Sequence, residues 1–140
     1  QGDPASVWVS PIQQKINKKK IISYINKSEI LILPYSLDSS LNSGTIFLAF
    51  SYKKTVISPL IGTLKEYEKN DPFFYSYEYN TQEEHLVNLK SIINKVIEDY
   101  KNDSKILQKK GIEAFNLVQK QNSFEIITTK YKELFSQLKK

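Results

Sequence analysis

The chain has no cysteine and no arginine, and its only histidine is His85. Without cysteine there is no disulfide framework, no thiolate nucleophile and no zinc ribbon. A single imidazole rules out a histidine metal cluster within this chain. The missing arginine excludes a further class. Arginine is the side chain that reads guanine edges and clamps phosphates through two parallel hydrogen bonds. A net charge of +5 carried by lysine alone is therefore not that of a sequence-reading nucleic-acid binder, and no nucleic-acid partner is expected. No apolar run nears the ~20 residues that span a bilayer. No signal-peptide pattern opens the sequence, so the cytoplasm is the expected compartment. No carboxylate pair has metal-ligand spacing, and no metal site or cofactor is expected.

What is present is ordinary in amount. At 140 residues, with 40% hydrophobic and 25% charged residues, the chain is long enough for one domain with a real core and too apolar for a disordered segment. The lysines are dispersed, and their tightest run is Lys18-Lys19-Lys20. That run reads either as a solvated helix face or as a loose attachment to an anionic membrane, where each lysine near the surface adds about 1 kcal/mol. The second reading extends the expected location to the inner face of the membrane.

In chain order, residues 1–6 read as a tail and residues 7–140 as one domain. Val7-Trp8-Val9 reads as a short strand, and Ile12 to Lys27 as a helix with Ile16, Ile21, Ile22 and Ile25 on one side. Ile30 to Leu33 is apolar on both faces, the mark of a strand covered by helices on both sides. Thr55 to Ser58 is a β-branched strand stopped by Pro59, and Ile61 to Leu64 reads as a loop. The aromatic run Phe73 to Tyr79 holds a strand at Phe73 to Tyr75; packing is the simple reading, stacking on a nucleobase the functional one. Thr81, with Glu84 three residues on, matches a capping box for a long helix whose buried stripe is Leu86, Leu89, Ile93, Val96, Ile97 and Tyr100. His85 lies beside that stripe with no identifiable partner and reads as a surface residue. Asp103-Ser104 and Asn122-Ser123 start two more helices. Alternating strands and helices predict an α/β fold: a Rossmann-like parallel sheet with helices on both faces and a helical C-terminal tail.

The stretch Glu29 to Pro59 organises the rest. A strand ends at Pro34, a hydroxyl-rich loop runs from Tyr35 to Asn42, and Asn42-Ser43-Gly44-Thr45 leads into an apolar helix closed by Lys53 and Lys54. Amides in the first turn of a helix have no partner within it and attract anions. Gly44 removes the side chain that would hold a phosphate off the backbone, and Ser43 and Thr45 add hydroxyl donors. The same tetrapeptide also serves as a plain N-cap with an easy turn.

These residues resemble the C-terminal, donor-binding domain of GT-B glycosyltransferases, in particular the retaining group 1 branch of bacterial polysaccharide synthesis. Ser28-Glu29-Ile30-Leu31-Ile32-Leu33-Pro34-Tyr35 matches that family's strand, Ser43, Gly44 and Thr45 its diphosphate cradle, and Lys53 to Ser58 its following turn and strand. The resemblance implies a metal-independent glycosyltransferase that moves a sugar from a nucleotide diphosphate to a glycan or lipid-linked acceptor. Tyr35, Ser36, Asn42, Ser43, Gly44 and Thr45 would line the donor site. It also implies that the acceptor domain and the first strands of the donor domain precede this sequence, leaving no catalytic residue to name and a fragment inactive by itself. Leu48 stands where the family carries a ribose-binding glutamate, Lys53 where glycine is usual and Thr55 where proline is usual. The alternative is a non-catalytic α/β binding or interaction module. A sheet edge left open is expected to make the chain self-associate.

Overall fold

The computed structural model describes residues 17–37, 44–68, 72–122 and 124–138. Its elements are α1 (Lys18–Lys27), β1 (Ile30–Ile32), α2 (Gly44–Ser51), β2 (Thr55–Pro59), α3 (Gly62–Lys65), β3 (Tyr75–Tyr77), α4 (Gln82–Asn102), α5 (Ile106–Asn122) and α6 (Phe124–Leu138). The expected tail at residues 1–6, the Val7–Val9 strand and the helix start at Ile12 lie outside the described residues. The described helix opens after Asn17, whose side-chain oxygen accepts from the Lys19 amide at 3.1 Å.

The three strands form one parallel sheet in the order β1-β2-β3. This is the expected α/β class, a partial Rossmann-like sheet. Register sorts the side chains by face. Leu31 lies beside Val56, and Ile57 beside Tyr75. Val56 packs with Ile46, Ala49 and Phe50 of α2, Leu64 of α3 and Ala114 of α5. On the other face Ile57, Tyr75 and Tyr77 pack with Val96 of α4 and Leu107 of α5. Helices thus cover both faces of β2, whose residues are all buried.

Helix α5 contributes to both clusters because it passes the amino edge of the sheet. Gly111, between Leu107 and Ala114, lies against the Lys53–Lys54 turn that leads into β2. That turn closes α2 through its backbone. The Lys53 amide donates to the Phe50 carbonyl and the Lys54 amide to the Ala49 carbonyl, both at 3.0 Å, with Lys53 at φ 58°. This is the left-handed helix cap that glycine usually takes.

Five expectations are corrected. Ile32 is 46% exposed, so β1 is not covered on both faces. Residues 61–64, read as a loop, include the start of the helical turn α3, and Pro59, read as a stop, is the last residue of β2. The third strand runs Tyr75–Tyr77 rather than Phe73 to Tyr75, because Phe73 and Phe74 pack as the lead-in. Leu86, Ile97 and Tyr100, placed in the buried stripe of α4, are 70%, 46% and 42% exposed. A helix rises about 1.5 Å per residue and a strand about 3.3 Å. The 21 residues of α4 therefore overhang strands of three to five residues at both ends.

Candidate functional site

Because the strands are parallel, their carboxyl ends share one edge of the sheet, the edge at which open α/β sheets take ligands. Three chain exits meet it. After β1 the ladder continues one step through the Leu33 amide to the Ile57 carbonyl at 2.8 Å, and then Pro34, Tyr35, Ser36 and Leu37 lead away. After β2 comes the turn of α3. After β3 come Glu78, Tyr79 and the start of α4.

Besides the short turn α3, the helices α2 and α4 begin at this edge, and they differ. The start of α4 is closed by its own side chains. Thr81 Oγ1 accepts from the Glu84 amide at 3.2 Å, and Glu84 Oε2 accepts from the Asn80 amide at 2.7 Å. Glu83 and Glu84 also place negative charge in its first turn. The first turn of α2 carries no acidic residue. Gly44 and Thr45 there are exposed, and a Cβ built on Gly44 would meet nothing within 4 Å. Among the described residues no glycine has a positive φ, so neither backbone geometry nor packing requires glycine at position 44.

Of the other expected site residues, Ser36 is exposed, while Tyr35 is half-buried with its side chain packed against the core under α2. Asn42 and Ser43 lie outside the described residues. The three departures from the family pattern have local explanations. Leu48 is half-buried in α2, and Lys53 takes the left-handed conformation that suits the glycine it replaces. Buried Thr55 donates through Oγ1 to the Phe73 carbonyl at 2.8 Å, a bond proline cannot make.

The same edge holds a group that sequence reasoning missed. His85 is not a surface residue without a partner. Its Nε2 is 2.8 Å from the Tyr77 hydroxyl, and its ring stacks on Tyr79 at 4.0 Å with an interplanar angle of 2°. Burial, and then the neighbouring Tyr79, push the Tyr77 phenol up to about 12. Tyr77 therefore stays neutral through the physiological range and serves as donor or acceptor to either form of the imidazole. The signal in the sequence was the alternation Tyr75, Tyr77, Tyr79, which puts Tyr75 and Tyr77 on one side of β3 and Tyr79 just past its end, a short turn before His85.

Beside β3, a pocket of about 200 Å³ is lined by Tyr77, Glu78, Asn88, Ser91 and Ile92. It holds none of the expected site residues and falls below the ~300–1,000 Å³ usual for ligand pockets. Among the described residues no group of three or more histidines, cysteines or acids is placed to hold a metal ion, and no helix is long and apolar enough to cross a membrane. Compared with models of known protein families, with curated proteins and with solved structures, the chain matches none.

Proposed function

We propose that the chain is the donor-binding part of a glycosyltransferase, holding the diphosphate of a nucleotide sugar at the first turn of α2. The observation that carries this reading is Gly44. It is a glycine that neither backbone geometry nor packing requires, at a helix start without acidic residues on the carboxyl edge of a parallel sheet. A bare backbone there lets phosphate oxygens reach the orphan amides, and Thr45 adds a hydroxyl. As the sugar leaves, the same amides offset charge growing on the diphosphate, which is electrostatic stabilisation of the transition state. In this reading the acceptor is a glycan or a lipid-linked sugar. A cytoplasmic protein resting on the inner membrane face fits this chemistry, with exposed Lys19 and Lys20 of α1 drawn to anionic lipid.

The test is a titration with UDP, GDP and ADP sugars followed by amide NMR, on this chain and on one extended by the preceding strands. Shifts at Gly44 and Thr45 are expected with one of the three. Unmoved amides with all three in the extended protein remove the proposal.

A second reading, a non-catalytic interaction module, is favoured by one observation: Tyr131, Leu134, Phe135 and Leu138 leave an apolar stripe of α6 exposed. Sugar transfer by the extended protein separates the two readings.

A further inference from the structure

Helix α6 stands off the sheet. Its main neighbour is α5, and every residue from Thr129 to Leu138 is exposed. A helix of this length is marginal in water by itself and draws most of its stability from packing an apolar face. Helix α6 has such a face, uncovered: Tyr131, Leu134, Phe135 and Leu138 are each at least 50% exposed, and the Tyr131 and Phe135 rings stack on one another at 6.5 Å. At about 100° per residue these four side chains occupy an arc of roughly 100°. Lys130 borders the arc on one side and Lys132 on the other, while Thr129, Glu133 and Ser136 lie opposite it. Among the described residues neither lysine is in an ion pair. Lys139 and Lys140 follow in the sequence and add charge of the same sign.

We propose that α6 docks on an anionic lipid bilayer, sinking Tyr131, Leu134, Phe135 and Leu138 below the headgroups while Lys130 and Lys132 meet the headgroup phosphates. An apolar centre, cationic borders and an acid turned away are what a helix needs to lie in the plane of a membrane interface. The lysine stems reach along the apolar surface and leave the ammonium groups in the charged layer. Tyr131 suits the same boundary, with an apolar ring and a polar tip. The charges decide between this occupant and a second copy. Two such stripes face to face would bring lysine borders together with no acid in either border to pair them. An anionic surface meets both borders at once. The proposal makes no use of the Gly44 site and is separate from the lysines of α1.

The experiment sediments the chain with vesicles of phosphatidylcholine alone and of phosphatidylcholine mixed equally with phosphatidylglycerol, and follows amide exchange on the bound protein. Binding to the mixed vesicles is expected to be about tenfold or more tighter than to the neutral ones, to weaken as salt rises, and to slow exchange from Thr129 to Leu138. Phe135→Ser is expected to weaken it about tenfold. Lys130→Gln and Lys132→Gln should each weaken it about fivefold, on the mixed vesicles only. Glu133→Gln, on the opposite face, should bind as wild type does or more tightly. All four positions are exposed, and an unchanged unfolding midpoint checks that each variant folds. No binding to the mixed vesicles, equal binding to both kinds, or binding unchanged in Phe135→Ser overturns the proposal. Self-association without lipid that Phe135→Ser abolishes, together with no vesicle binding, assigns the stripe to a second copy. Vesicle binding that is lost in the chain extended by the preceding strands assigns it to the rest of the protein. Either result also overturns the proposal.

Discussion

The Lys53 carbonyl occupies the space that a side chain on Gly111 would need: a Cβ there would lie 2.0 Å from the Lys53 oxygen and 2.6 Å from its carbon. Two structural needs meet at this point. Helix α5 must pass the amino edge of the sheet closely enough for Leu107 and Ala114 to reach opposite faces. The chain must also turn left-handed at Lys53 to end α2 and start β2. Only glycine at 111 allows both. Gly111→Ala is expected to lose about 2 kcal/mol or more, since the obstacle is backbone and cannot rotate away. Lys53→Gly, at the residue with φ 58°, is expected to hold stability level or raise it by up to about 1 kcal/mol. Urea denaturation of both variants checks the pair, and a Gly111→Ala protein as stable as wild type would show that α5 does not pass where we place it.

The buried phenol of Tyr77 sets an alkaline limit. Its value of about 12 lies above the ordinary 10.0, so between these pH values the folded chain holds a proton that the unfolded chain has released. Stability from this group is complete below about pH 10 and declines as pH rises towards 12. Phenolate absorbance should show a tyrosine titrating towards pH 12 in wild type that is lost in Tyr77→Phe, whose unfolding midpoint should fall less steeply over the same range. A Tyr77 that ionises with the exposed tyrosines would refute its burial beside His85.

Among the described strands β1 is an edge, and it presents Ile32 at 46% exposure. An apolar, unpaired strand edge invites another chain. The protein is expected to self-associate as its concentration rises, and Ile32→Lys to reduce this, as read by light scattering. A monomer across a wide concentration range, with no difference between the two proteins, would contradict the expectation.

Much of the fold was legible because local signals agreed with the final packing. The β-branched run at Thr55 to Ser58 forms the buried strand β2, and Thr81 with Glu84 forms the cap of α4. Reasoning failed where a residue's environment is set at a distance. Leu86 and Tyr100 follow the helical period of α4, but they lie where the helix overhangs these short strands. Gly62 suggested a loop, yet it begins the α3 turn that buries Leu64. His85 showed no partner in the sequence. Its neighbours are the Tyr77 hydroxyl and the Tyr79 ring, brought to it by the turn between β3 and α4. At the candidate site, the sequence named Gly44 and Thr45 from local chemistry, but the bond from the Leu37 amide to the Tyr79 hydroxyl spans the sheet edge and leaves no local trace.

The contrast between two glycines gives the most direct test of the central claim. Gly111 is held to glycine by the fold, whereas at Gly44 a methyl group meets open space. Gly44→Ala should therefore unfold at the same temperature as wild type or higher, since alanine favours a helix over glycine by up to about 1 kcal/mol. The same variant, in the extended protein, should bind the preferred nucleotide sugar at least about tenfold more weakly by calorimetry, because the methyl stands where phosphate approaches the amides. Unchanged affinity in Gly44→Ala, or affinity lost only together with stability, would contradict the account.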